Sequence, residues 1–149
     1  AAMRDLFVAA ARSGEHCALH ATLSRGCPGE PDDAICYTTE YGGPRQPLEQ
    51  RKAAALDAVS AAPITAMSSA AQFSLYVMGT DDHMDEIYGC IDFLKQSGVF
   101  GGAKNFCTRL DGDAGAVFAA VEAALCRFGP PEGHVTIDLT VSANSPTRR

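Results

Sequence analysis

Apolar and polar residues alternate with a period of two in two stretches of the second half of the chain. Phe73, Leu75 and Val77 are separated by Ser74 and Tyr76, and residues 134–142 alternate without a break. Successive side chains of a strand point to opposite faces, so this period predicts strands over residues 72–78 and 134–142. The second strand should bury one apolar face, formed by Val135, Ile137, Leu139 and Val141.

Between these strands the spacing of apolar residues changes to that of helices. Apolar side chains recur three and four positions apart over residues 82–96, which end at Ser97-Gly98, and again after Asp113 until Gly129-Pro130-Pro131. We predict one helix in each segment. Residues 99–110 are too short for a third helix, and they contain Gly101-Gly102 and Lys104-Asn105 as turn candidates. Two antiparallel strands, over 99–104 and 106–110, fit this segment.

The predicted order over residues 72–146 is β-α-β-β-α-β. This order defines an α+β fold of the ferredoxin-like type, in which both helices cover one face of an antiparallel sheet.

The start of the chain resembles its end. Four residues recur at a displacement of 118 positions (16 onto 134): His16, Thr22, Ser24 and Pro28 fall on His134, Thr140, Ser142 and Pro146. Residues 3–11 also have the pattern of a final helical segment, so we predict an internal repeat. Residues 1–28 would then be the last helix and strand of a truncated first repeat, 29–71 a linker with a short helix over 48–60, and 72–149 a complete second repeat.

This division leaves the strand over 16–24 without the other strands of its own repeat. A strand edge seldom stays unpaired. We expect it to pair with the missing part of its repeat, which is favoured, or with an edge of the second repeat or of another copy.

Composition narrows the classes of function. The chain has a formal net charge of -6, which disfavours nucleic acid as a partner, and no apolar run of the ~20 residues that span a bilayer. The 6 cysteines form no C-x-x-C pair and the 4 histidines show no metal-ligand spacing. We therefore expect free thiols in a reducing cytoplasm, no metal and no membrane insertion.

Four motifs, in this order along the chain, resemble the YkoF family of thiamine- and hydroxymethylpyrimidine-binding proteins. They are Ser24-Arg25-Gly26-Cys27-Pro28-Gly29, Gln72-Phe73-Ser74-Leu75-Tyr76-Val77-Met78, Leu110-Asp111-Gly112-Asp113 and Val141-Ser142-Ala143-Asn144-Ser145-Pro146. The resemblance implies a cytoplasmic homodimer of tandem ferredoxin-like repeats that binds thiamine, or its hydroxymethylpyrimidine (HMP) precursor, in uptake or salvage. The chain departs from the family at Val77, where proline is expected, and in the incomplete first repeat, which puts the first ligand site in doubt.

An aminopyrimidine needs a few fixed donors and acceptors and an aromatic or sulfur surface for its ring. The candidate ligand-binding residues of those types are Ser74, Tyr76, Met78, Asp111, Asp113, Asp138, Thr140, Ser142 and Asn144. Three alternatives stay open: the polar strand face packs on a partner sheet, Asp111 and Asp113 cap a helix, and Asn144 is a turn residue.

No catalytic role is expected, because the chain lacks a G-x-S-x-G elbow, a P-loop and an H-E-x-x-H motif. No cofactor is expected beyond thiamine or HMP as the ligand. A small enzyme on a ferredoxin-like scaffold and a small-molecule sensor or interaction domain remain alternatives, because a fold does not fix a function. The sequence does not distinguish thiamine, its phosphates and HMP.

Overall fold

The computed structural model describes residues 1–26, 45–104, 107–131 and 133–146 of the 149-residue chain. Over these residues the fold is mixed α/β, with a five-stranded antiparallel sheet and four helices. The helices are α1 (Ala2–Ala11), α2 (Leu48–Ser60), α3 (His83–Gln96) and α4 (Ala114–Arg127). The strands are β1 (Cys17–Arg25), β2 (Ser68–Met78), β3 (Phe100–Lys104), β4 (Cys107–Asp113) and β5 (His134–Ala143).

The strand order in the sheet is β1-β5-β2-β4-β3, with every neighbouring pair antiparallel. The elements from β2 to β5 follow the predicted β-α-β-β-α-β order, which is compatible with a ferredoxin-like arrangement. Helix α2 spans the residues predicted for the linker helix. The linker before residue 45, together with Cys27, Pro28, Cys36, Asn105 and Phe106, lies outside the described residues.

Two strands are longer than predicted. β2 begins at Ser68 rather than at residue 72, and β4 continues to Asp113 rather than ending at residue 110. The added residues of the two strands pair with each other, from Ser68 opposite Asp113 to Ala70 opposite Asp111. The added residues are serine and alanine in β2, and aspartate and glycine in β4, so neither segment has the alternation of large apolar and polar side chains that reveals a strand.

The core lies between the sheet and the helices. Val135, Ile137, Leu139 and Val141 of β5 are all fully buried, as the alternation predicted. Helix α4 packs against β2, β4, β1 and β5 through a face that includes Val117 and Val121. An aromatic pair joins α1 to α4 at Phe7 and Phe118, with ring centroids 5.6 Å apart. A second pair joins α3 to the residue after α4, at Phe93 and Phe128, with ring centroids 5.7 Å apart.

β1 and β5 are related by a local two-fold axis. Ala21 pairs with Leu139, and these two residues are themselves 118 positions apart (139 − 21). On either side, His20 pairs with Thr140 and Thr22 with Asp138. A displacement of 118 positions takes residues 20 and 22 onto 138 and 140, so the displacement from which a repeat was predicted exchanges these two pairs. The strand over 16–24 thus pairs with an edge of the second predicted repeat, which was one of the three expected arrangements.

Buried charges fix the end of α4 and the position of α2. Glu86 of α3 is 2% exposed and accepts hydrogen bonds from Arg51 Nη1 at 2.6 Å, Arg51 Nη2 at 2.7 Å and the Gly129 backbone N–H at 2.6 Å. Arg45 also pairs with Glu86. Burial alone would raise the pKa of Glu86, but these hydrogen bonds lower the pKa to about 2. Arg51 therefore ties α2 to α3 and to the turn after α4.

Candidate functional site

One face of the sheet carries polar side chains, because the helices cover the other. We call it the polar face. Its side chains come from alternate positions of four strands: His20, Thr22 and Ser24; Gln72, Ser74, Tyr76 and Met78; Arg109 and Asp111; Thr136, Asp138, Thr140 and Ser142. Most of these residues are exposed or half-buried in the described part of the chain. The face is therefore available to a ligand or a partner.

Hydrogen bonds cross the polar face between β1 and β5. Ser142 Oγ lies 3.1 Å from His16 Nε2, Thr140 Oγ1 lies 3.0 Å from His20 Nδ1, and Thr22 Oγ1 donates to Asp138 Oδ1 at 2.9 Å. At the far end, Ser24 Oγ lies 2.6 Å from His134 Nε2. The local two-fold exchanges the first pair with the last, so the same side-chain chemistry occurs at both ends of the ladder.

The predicted site residues lie at two ends of this face rather than in one pocket. Ser74, Tyr76 and Met78 lie near one end of β2, whereas Ser142 and Asn144 lie near the other. Tyr76 lies six positions along β2 from Ala70, the partner of Ser142, which makes about 20 Å at ~3.3 Å per residue. One thiamine-sized molecule cannot contact both ends. Thr140 lies between them, opposite Gln72.

The first end contains a small pocket of about 340 Å³, which we call the Tyr76 pocket. Its lining residues are Leu75, Tyr76, Val77, Met78, His83, Ile87 and Thr136. Tyr76 is 45% exposed and Met78 is 42% exposed, so an aromatic ring and a thioether are both accessible. Such a surface suits a planar heteroaromatic ring.

Polar groups adjoin this pocket on the polar face. Ser74 lies directly opposite Asp138 in the register, and Tyr76 lies directly opposite Thr136. Side chains opposite each other in an antiparallel pair have Cβ atoms about 4.5–5.5 Å apart. The Asp138 carboxylate is exposed and is oriented by the hydrogen bond from Thr22. A carboxylate, two hydroxyls and an aromatic ring are therefore brought together.

The second end contains a larger cleft of about 840 Å³, which we call the Ser142 cleft. The end of α1 with its following loop, the start of β2 and the end of β5 form its walls. Ser142 and Asn144 are the two predicted site residues that line it.

Asp113 performs the capping role that was the alternative to ligand binding. Its carboxylate accepts hydrogen bonds from the N–H groups of Gly115 and Thr65, at 2.8 and 3.0 Å through Oδ1, and from Thr65 Oγ1. Partial burial opposes the charged form, but these hydrogen bonds hold the pKa of Asp113 below its ordinary value. Asp113 lies outside both pockets.

Asp111 does not lie at the helix start, contrary to the capping alternative. It belongs to β4, where Arg109 donates to it through Nε at 2.8 Å and Nη2 at 3.0 Å. Asn144 adopts a left-handed conformation with φ of 57°, as a turn residue does. Its side-chain amide donates to the carbonyls of Ala11 and Glu15 and so holds the loop after α1.

Several residues at the site were not predicted from the sequence. His16, His20 and Thr22 contact the predicted residues of β5 across the ladder, whereas Ser24 contacts His134 and Thr136. His83, Ile87 and Thr136 complete the Tyr76 pocket. The displacement of 118 positions already related Thr22 and Ser24 to Thr140 and Ser142. If this displacement had been used to choose site residues as well as to predict the fold, Thr22 and Ser24 would have been identified.

The described residues contain no group of three or more His, Cys, Asp or Glu side chains placed to hold a metal ion. Cys17, Cys90, Cys107 and Cys126 are free thiols. Among the helices that the structure describes, none has the length and apolar character needed to cross a membrane.

A polar sheet face with two pockets, opposite a layer of helices, is an architecture suited to binding small molecules. The model of the YKOF-related family matches residues 68–148. The chain is also 32% identical, over 148 residues, to a protein of Bacillus subtilis (strain 168) named "Putative HMP/thiamine-binding protein YkoF". The match covers 99% of this chain and 68% of that protein. This chain belongs to the YkoF family.

Proposed function

We propose that this protein binds thiamine or HMP at the Tyr76 pocket, without changing the ligand chemically, in the uptake or salvage of thiamine. The name of the Bacillus subtilis relative supports a thiamine-related binding role. The single structural observation that carries the proposal is the position of Asp138, an exposed carboxylate held by Thr22 and directly opposite Ser74.

The chemistry of an aminopyrimidine matches this arrangement. Its exocyclic amine donates hydrogen bonds, and an ionised carboxylate accepts them, so the amine binds Asp138. Its ring nitrogens are acceptors, for which the hydroxyls of Ser74 and Thr136 supply donors. The faces of the ring pack against Tyr76 and Met78. Each polar group of the ligand thus has a partner of the correct kind.

The positive charge of thiamine favours its binding over that of HMP. The thiazolium ring of thiamine is a cation, and the chain carries a formal net charge of -6. A cation close to the face of Tyr76 and to Asp138 is attracted by both groups. We therefore expect thiamine to bind more tightly than the neutral HMP.

We further propose that the protein is cytoplasmic and that it consists of tandem ferredoxin-like repeats that form a homodimer. The local two-fold between β1 and β5 supports an internal repeat, because the displacement of 118 residues superimposes each strand on the other in the register. Free thiols at the four described cysteines fit a reducing compartment. The molar mass from light scattering during size-exclusion chromatography tests whether the protein is a homodimer. The mass of a monomer, both with and without thiamine, would contradict this proposal.

Calorimetric titration with thiamine and with HMP tests the binding function. Asp138→Asn keeps the shape of the side chain and removes its charge, so we expect thiamine to bind about tenfold more weakly, as loss of one charge-assisted hydrogen bond predicts. Asp111→Asn is the matched control, because Asp111 is also a carboxylate on the polar face but pairs with Arg109 away from the pocket. It should leave the affinity within about twofold of the wild type.

Three results would count against the proposal. Absence of heat at millimolar thiamine and HMP excludes the binding function. If the ligand is recovered in a chemically altered form after incubation, the protein is an enzyme and the binding function is wrong. Equal losses of affinity in both variants would move the site away from Asp138.

A further inference from the structure

The Ser142 cleft is a second candidate binding site, separate from the Tyr76 pocket. Small side chains form its floor, since Ala70 lies opposite Ser142 in the register and Ala143 follows. These small side chains line the cleft of about 840 Å³. A volume of this size accommodates an organic molecule rather than water alone.

Two side-chain clamps build the walls of the cleft. Asn144 donates to the carbonyls of Ala11 and Glu15 at 2.7 and 2.9 Å and so holds the loop after α1. On the opposite side, Asp113 holds the backbone of Thr65, and the Ala114 N–H donates to the Met67 carbonyl at 2.8 Å. The cleft is thus formed by fixed segments in the folded protein.

Two non-glycine residues of the cleft have left-handed backbone conformations. Ala66 and Asn144 have φ of 56° and 57°, and they are the only non-glycine residues with positive φ in the part of the chain that the structure describes. Both line the cleft. Alanine in this conformation costs free energy, and such residues concentrate at binding sites, where the shape of the backbone serves a ligand.

Donors predominate among the polar side chains of the cleft. Arg12 supplies a guanidinium, His16 an imidazole, and Ser68, Ser142 and Ser145 supply hydroxyl groups. Glu15 is the one carboxylate in the lining, and its side chain is exposed. Guanidinium and hydroxyl donors together match the several acceptor oxygens of a phosphate group. The donors lie on three segments, so a single group between them can accept from more than one.

We propose that the Ser142 cleft binds a phosphate-bearing small molecule, with Arg12, His16 and Ser142 as the residues that contact the phosphate. The separation of about 20 Å between the two ends of the polar face, at ~3.3 Å per residue, makes this a site independent of the proposed thiamine site. Both sites can be occupied in the same molecule.

Titration with inorganic phosphate, followed by phosphorus NMR or calorimetry in a buffer without other oxyanions, tests the proposal. We expect saturable binding that Arg12→Ala weakens about tenfold, the effect of one charge-assisted contact, and that Ser142→Ala weakens about threefold. Arg4→Ala is the control: Arg4 lies in α1, the helix that Arg12 caps, pairs with Asp5 and does not line the cleft, so its loss should leave phosphate affinity unchanged.

The test of the Ser142 cleft can be distinguished from the test of the thiamine site. Arg12→Ala and Ser142→Ala should bind thiamine as the wild type does, and Asp138→Asn should bind phosphate as the wild type does. The proposal is overturned by absence of phosphate binding at millimolar concentration, by equal displacement with chloride, or by equal weakening in Arg4→Ala and Arg12→Ala. Melting curves that match between the variants and the wild type exclude misfolding as the cause of any loss.

Discussion

Replacing Glu86 with glutamine should reveal how much the buried ion cluster contributes to stability. Glu86 is 2% exposed, and its carboxylate accepts hydrogen bonds from Arg51, Arg45 and the Gly129 backbone. Glutamine keeps the volume of the side chain but cannot pair two guanidinium groups. Loss of one partner from a buried ion pair typically costs about 3–5 kcal/mol.

The lowered pKa of Glu86 indicates how this contribution depends on pH. The pKa falls from an ordinary 4.5 to about 2, and each pH unit corresponds to about 1.4 kcal/mol. The ionised carboxylate therefore adds roughly 3 kcal/mol to the free energy of unfolding at neutral pH. Because the folded-state pKa is the lower one, this stability is present above pH 4.5 and is lost as the pH falls towards 2.

The assay is urea unfolding of the wild type and of Glu86→Gln at neutral pH and at about pH 3. The difference in free energy of unfolding between the two proteins should be roughly 3 kcal/mol at neutral pH and should shrink by about 2 kcal/mol at the lower pH. Taking the difference removes the contributions of all other carboxylates.

Asp92→Asn supplies the matched control on the same helix. Asp92 is an exposed carboxylate that pairs with Lys95 at 3.2 Å, and such surface pairs contribute about 0–1 kcal/mol. A difference between wild type and Glu86→Gln that stays constant over this pH range would refute the reasoning. The reasoning would also be refuted if Glu86→Gln lowered the free energy of unfolding by no more than Asp92→Asn does.

Three further predictions concern the fold. Leu139→Ala should lower the free energy of unfolding by about 2–5 kcal/mol in urea titration, because Leu139 is fully buried; a loss below about 1 kcal/mol would contradict its place in the core. Asp113→Ala should cost about 1–2 kcal/mol by the same measurement, since it removes the cap of α4 and the anchor of Thr65, and an unchanged midpoint would count against that role. Gly115→Ala should lower the melting temperature, because its Cβ would lie 1.9 Å from the Pro63 carbonyl oxygen; a melting temperature equal to the wild type would show that the loop yields freely.

The sequence was sufficient to predict most of the secondary structure from β2 onwards. The alternation over residues 134–142 predicted β5 and its buried face, and the helical spacing after residue 82 predicted α3 to within one residue. These segments contrast large apolar side chains with polar ones, so their periods are clear. The start of β2 at Ser68 was missed, because Ser69, Ala70 and Ala71 differ little in hydropathy.

The division of the site into two ends could not be read from the sequence. Residue types on β2 and β5 were identified individually, but their grouping depends on the register that places Ser74 opposite Asp138 and Ala70 opposite Ser142. Register is set by pairing between strands that lie far apart in the chain. The capping alternative for Asp111 was wrong for a related reason, since β4 continues three residues beyond its predicted end.

The pairing of β1 with β5 has a consequence for the order of folding. The hydrogen bond between Ser24 and His134 joins residues 110 positions apart, whereas β3 and β4 form a hairpin of neighbouring strands. Closing so long a loop costs more chain entropy, and contacts between distant residues form slowly. We expect β1 to join the sheet late and to be among the first strands to open in native-state hydrogen exchange. Since Thr22 of β1 orients Asp138, a ligand held by that carboxylate would also slow the exchange of the β1 amides.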